Sequence, residues 1–173
     1  MTGRIALFID GVNLHHTARN LGFEIDYKRL LSEFERIGSI VRPYFYTSLR
    51  EGEVSGVRQL IDWLDFNGFA VRTKSIKDYE DEGKRSRRSI GVDLAVDMIE
   101  IAPRVDDIFL FSGDGDFRAL VEAIQRLGVR VTVVSSLQTT PAMASDELRR
   151  QADAFLDLAT LRKSIERQAR RPD

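Results

Sequence analysis

At 173 residues, with 43% hydrophobic and 31% charged side chains, the chain has enough apolar material for one real core and an ordinary water-facing surface. A formal net charge of −1 excludes nucleic-acid or lipid binding by bulk charge, so any such binding must come from local patches. The absence of cysteine removes disulfides, zinc-thiolate sites and cysteine nucleophiles together. The apolar run Ile5 to Ile9 is too short for a signal-peptide core or a membrane span, which makes the cytoplasm the expected location, with no membrane partner.

Taken in chain order, Ile5-Ala6-Leu7-Phe8-Ile9 has the pattern of a strand buried on both faces and ends at Asp10-Gly11-Val12-Asn13. Helices are predicted from there to about Leu21 and from Tyr27 to Ile37. Ser39 to Thr47 reads as a strand, with Pro43 expected at a bulge or partly exposed edge. The spacing of Val57, Leu60, Ile61 and Leu64 predicts a helix over Val54 to Asn67, and Phe69 to Arg72 a short strand. Lys74 to Ser89 is polar, acidic at Asp78, Glu80, Asp81 and Glu82 and basic at Lys84, Arg85, Arg87 and Arg88; it reads as an exposed loop. A helix follows from Gly91 to Ala102, then the apolar run Ile108 to Phe111, a helix through Leu127 and the strand Val129 to Val134. Thr140-Pro141 or Ser145 is a further helix start, and a charged helix begins near Leu158. Strands alternating with helices predict a parallel sheet covered on both faces, with ligands at the carboxyl ends of its strands.

The acids are the informative residues. Asp10 is either a helix cap or a site acid at a strand mouth. Asn13 is an ordinary turn residue unless the cleft lies beside it. Asp93, Asp97 and Glu100 fall on one narrow stripe of an otherwise apolar helix with no Lys or Arg of its own, so the stripe faces either solvent or a polar cleft. Asp114 and Asp116 in Ser-Gly-Asp-Gly-Asp are either a turn with Asp116 capping the next helix, or two further site acids. Together they form a set that a hard divalent cation, Mg²⁺ or Mn²⁺, would relieve of repulsion, with phosphodiester hydrolysis as the suited chemistry. His15 and His16 read as solvated helix surface. The run Lys84 to Arg88 is either a solvated charge run or an arm that draws a nucleic-acid backbone to the cleft.

Three motifs in order, FIDGVNL at Phe8 to Leu14, GVDLAVDM at Gly91 to Met98 and FSGDGDF at Phe111 to Phe117, resemble the NYN domain family in its LabA-like branch, within the PIN-like nuclease superfamily. GVRVTVV and DELRRQADAFLDL extend the resemblance to about Leu158. It implies a three-layer α/β/α sandwich on a mainly parallel five-stranded sheet of order 3-2-1-4-5, covering residues 1–158, with 159–173 as a charged helix or tail. It also implies RNA as partner and a metal-dependent ribonuclease, an endonuclease, in which Asp10, Asp93 and Asp114 hold the metal. Asp97 and Asp116 then complete the shell directly or through water, and Asn13 orients water or phosphate. Relatives often carry Lys-Gly before Val-Asp, where this chain has Ser89-Ile90-Gly91, so the lysine's place is either taken by Arg87 or Arg88 or empty. Two rival readings stand beside it. One is an RNA-binding or regulatory module without turnover. The other is a phosphohydrolase with Asp10 as nucleophile, although the second acid it expects two residues on is Val12. A homo-oligomer is open.

Overall fold

The computed structural model describes residues 3–50, 56–76 and 90–169. Six strands form one sheet in the order β3-β2-β1-β4-β5-β6, every neighbouring pair parallel. They are β1 (Arg4–Asp10), β2 (Ser39–Arg50), β3 (Ala70–Ile76), β4 (Asp107–Phe111), β5 (Arg130–Ser135) and β6 (Ala154–Asp157). The helices between them are α1 (Gly11–Asn20), α2 (Tyr27–Glu35), α3 (Gly56–Phe66), α4 (Gly91–Ile101), α5 (Arg118–Arg126), α6 (Asp146–Gln151) and α7 (Leu158–Ile165). No described helix is long and apolar enough to cross a membrane.

The alternation of side chains along each strand decides what the two faces hold. On one face Ile5, Leu7 and Ile9 of β1 and Phe109 and Phe111 of β4 pack with Leu14 of α1, Leu30 and Phe34 of α2, Leu64 of α3 and Leu158 of α7. On the other, Ala6, Phe8 and Tyr46 meet Leu94 and Met98 of α4 and Val121 and Ile124 of α5, with Leu148 of α6 beside them. These two cores make the three-layer architecture that the motifs imply. By the same alternation, Asp10 continues the Ala6–Phe8 row onto the α4 face. Asp10 therefore leaves its strand on the side that faces α4.

Several elements differ from the sequence expectation. The sixth strand, β6, adds an edge beside β5, in register from Thr132↔Ala154 to Ser135↔Asp157. At four residues, flanked by two helices, it is too short to show a period of its own. Pro43 is buried opposite Leu7, and the irregularity in pairing falls just before it, between Ile5 and Ala6 of the partner strand. Pairing with β3 begins only at Tyr44, so at Pro43 the strand β2 is paired on the β1 side alone. β3 runs on to Ile76, so Lys74 is a strand residue rather than the start of a loop. Of the two expected helix starts, Ser145 is the one that caps α6, accepting the N–H of Leu148 at 3.1 Å. α7 is tied to the body: the Asp26 N–H reaches the Ile165 carbonyl at 2.8 Å, and Arg29 donates to the carbonyls of Glu166 and Lys163.

Candidate active site

β1 and β4 are neighbours, in register from Ile5↔Asp107 to Ile9↔Phe111, so the loops after them meet. Asp10 closes β1 and caps α1: its Oδ1 accepts the Asn13 N–H at 3.3 Å. Its Oδ2 accepts the hydroxyl of Ser112 at 3.1 Å, across the sheet. That hydroxyl oxygen in turn accepts the Asp114 N–H at 3.2 Å. Asn13 makes the second stitch, its Oδ1 accepting the Gly113 N–H at 3.1 Å. Two hydrogen bonds thus lock the Asp10–Asn13 turn to the Ser112–Asp114 turn, and one more within each turn fixes its shape.

Close backbone approach explains the glycines here. A Cβ on Gly11 would lie 2.8 Å from the Tyr46 carbonyl and strike the Phe45 ring. On Gly113 it would overlap the Met143 carbonyl and sit 2.7 Å from the Ser135 hydroxyl. A side chain at Gly11 would push the first turn away from β2, and one at Gly113 would push the second away from Met143 and the end of β5.

Asp10 is 8% exposed, and burial is the main cause that raises its pKa above the ordinary carboxylate value. The Asn13 N–H and Ser112 hydroxyl pull it down, while the charge of Asp114 pushes it up again. Both groups that donate to Asp10 are neutral. Asp114 is exposed, and its Oδ1 accepts the Asp116 N–H at 2.9 Å. Asp114, rather than Asp116, is therefore the cap, and what it caps is a short 3₁₀ turn, Gly115–Phe117, that leads into α5. Asp116 lies inside that turn and is exposed. It has no capping duty because the tighter turn begins at Gly115, two residues earlier than a helix starting at Phe117.

The acids of α4 form a second group with different partners. The buried Asp97 accepts the Tyr46 hydroxyl at 2.7 Å and the Arg72 guanidinium at 3.2 Å and 3.4 Å. Asp93 pairs with Lys74 at 3.1 Å. α4 itself holds no cation, as the sequence indicated, but β3 supplies two. Residues 72 and 74 lie two apart on one strand, and 93 and 97 one turn apart on a helix, so both pairs form between the same two elements. Burial, then the hydrogen bond to Asp97, holds the Tyr46 hydroxyl firmly protonated. Tyr46 is also the register partner of Asp10, so it joins the two groups across β1 and β2.

Among the described residues, no three acids or histidines are gathered closely enough to hold a metal ion together. The expected single convergence of Asp10, Asp93, Asp97, Asp114 and Asp116 is in fact two groups: Asp10 with Asp114 at the β1/β4 mouth, and Asp93 with Asp97 against β3. His15 and His16 are exposed on α1, as expected. Lys84, Arg85, Arg87 and Arg88 lie outside the described residues. The sequence reading missed Ser112, Tyr46, Arg72 and Lys74. Their signal was parity: each has the same strand alternation as the α4-facing row that contains Asp10.

The family model for the NYN domain matches residues 4–159. The protein named "Low amplitude and bright protein LabA" from Synechococcus elongatus is 35% identical, over 96% of this chain and 90% of its own. The crystal structure of a Vibrio parahaemolyticus protein of unknown function is similar at a TM-score of 0.76 and 31% identity, covering 91% of this chain and 93% of that one. With the motif-bearing turns locked together on a PIN-like sheet, and the match running from β1 to the start of α7, the chain belongs to the NYN domain family, in its LabA-like branch, as a nuclease-type or RNA-related domain.

Proposed function

We propose that the protein is a divalent-metal-dependent ribonuclease, an endonuclease acting on RNA in the cytoplasm. The observation that carries the reading is Asp10: a buried carboxylate, held in place by two neutral donors, with a second carboxylate at Asp114 close enough to raise its pKa. Such a pair is unfavourable without a counter-charge. Its donors are oxygen only, and one or two carboxylates with water and phosphate are what Mg²⁺, or Mn²⁺ in its place, accepts. Asp10 and Asp114 would hold the ion, with Asp116 reaching it through water. Asp93 would join only by giving up Lys74, and Asp97 serves the scaffold. When bound, such an ion offsets charge developing on phosphate oxygens and makes water a better nucleophile.

The chain's own groups do the positioning. Ser112 fixes the rotation of the Asp10 carboxylate while holding the Asp114 backbone. The Gly113 N–H occupies the Asn13 carbonyl oxygen, which leaves the Asn13 amide N–H groups to offer a phosphate.

A non-catalytic RNA-binding module is the second reading, and one observation favours it: both α4 acids already have cationic partners. Cleavage of an end-labelled single-stranded RNA separates the two. The nuclease reading expects Mn²⁺- or Mg²⁺-dependent internal cuts that Asp10→Asn reduces by about 100-fold or more, the scale on which charge-stabilising groups act. Equal cutting by wild type and Asp10→Asn would end it.

A further inference from the structure

The face of β2 and β3 that looks toward α4 carries cations and an aromatic ring in one strip. Arg42 and Tyr44 alternate on β2, and Arg72 and Lys74 on β3, which is the edge strand of the sheet. The Tyr44 ring is only partly buried and stacks on Phe8 at 4.5 Å and 11°. Arg42 and Arg72 lie within electrostatic reach of its hydroxyl, as do Asp97 and Glu100 of α4.

Asp97 holds Arg72 through Nε and one Nη2 hydrogen, on one side of the guanidinium. Three of its five N–H groups remain, and the side chain is 56% exposed, so the unused side faces outward. Lys74, 28% exposed, is steadied by Asp93 in the same way. Asp97 thus fixes the direction of the Arg72 guanidinium without covering it. Aromatic rings interleaved with fixed cations suit single-stranded nucleic acid, whose bases stack while its phosphates follow the charge. The strip lies one strand away from Asp10, since Tyr46 is the register partner of both Asp10 and Arg72.

The geometry points to the strip Arg42, Tyr44, Arg72 and Lys74 as the surface that binds single-stranded RNA beside the Asp10–Asp114 mouth. This rests on the RNA reading of the site, though not on its turnover. Glu100, exposed at the side of the strip, limits how many phosphates it can hold.

The test is anisotropy of a labelled oligouridylate with the full chain in EDTA, where cleavage does not intervene, at several salt concentrations. Arg72→Gln and Lys74→Gln should each weaken binding about three- to tenfold and reduce the salt slope by roughly 0.7 per lost phosphate contact. Tyr44→Leu should weaken binding about fivefold or more while leaving the slope unchanged. Arg72→Lys should recover much of the loss, and Arg130→Gln, at the opposite end of the sheet beside Asp107, should cost nothing. Thermal melting of each variant separates lost binding from lost folding. If wild type binds no RNA, or if the Arg72→Gln/Lys74→Gln double variant melts normally and binds with wild-type affinity and slope, the strip is not the RNA surface. Strip-dependent binding without any metal-dependent cleavage would end the nuclease reading and leave the strip standing.

Discussion

Asp10 answers two demands that conflict in water-poor surroundings. As the cap of α1 it must accept the Asn13 N–H, which a carboxylate does well. As a buried group near Asp114 it would be less costly neutral. Its raised pKa means the folded chain holds this proton more tightly than the unfolded chain. Its contribution to stability is therefore largest below the ordinary carboxylate value, and falls as the pH rises through the raised one. Asp10→Asn keeps one acceptor oxygen for the Asn13 N–H, sets an amide NH₂ against the Ser112 hydroxyl in place of the second oxygen, and removes the charge. The variant should melt about 2–4 °C above wild type at neutral pH, the shift that about 1 kcal/mol produces in a domain of this size. The difference should vanish as the pH falls below the carboxylate range. Melting curves across that range decide it, and a variant less stable than wild type at neutral pH would mean that the charge is compensated within the fold. A stabilising substitution that also removes activity is the usual signature of a site residue.

At the scale of elements, α4 is fastened to the sheet by polar contacts as well as by Leu94 and Met98. Asp97→Ala removes the acceptor of the buried Tyr46 hydroxyl and the partner of Arg72. We expect a loss of about 2–3 kcal/mol, the cost of leaving buried polar groups unsatisfied, measured by urea denaturation at unchanged m-value. A loss below about 0.5 kcal/mol would show that Asp97 is not a fastening residue. The sequence reading saw that α4 carries acids on one stripe and no cation, and both statements hold. It could not see the partners, because the pairing of Asp93 with Lys74 and of Asp97 with Arg72 depends on which face of β3 lies opposite α4. The capping of the 3₁₀ turn by Asp114 was hidden for a similar reason: a start two residues earlier, in a three-residue turn, leaves no mark on hydrophobic spacing.

For the molecule as a whole, a parallel sheet covered on both faces was legible from apolar strands and helix periods, whereas the strand order and the meeting of the first and fourth turns came from the motifs' resemblance to the NYN family. β6 was not, since a four-residue edge strand between two helices has no pattern of its own. The arrangement of the site was legible in part. Asp10, Asn13 and Asp114 do come together, through Ser112 and Gly113. Asp93 and Asp97 lie in a separate group against β3, so among the described residues the acids divide between a mouth held by neutral donors and a buttress held by cations.

That division is the centre of the account, and anomalous diffraction from crystals grown with Mn²⁺ tests it most directly. The account predicts a peak about 2.1–2.2 Å from carboxylate oxygens of both Asp10 and Asp114, with Lys74 and Arg72 still paired to Asp93 and Asp97. An ion held by Asp93 and Asp97 in place of those cations, or no ion at the Asp10–Asp114 mouth at millimolar Mn²⁺, would contradict it.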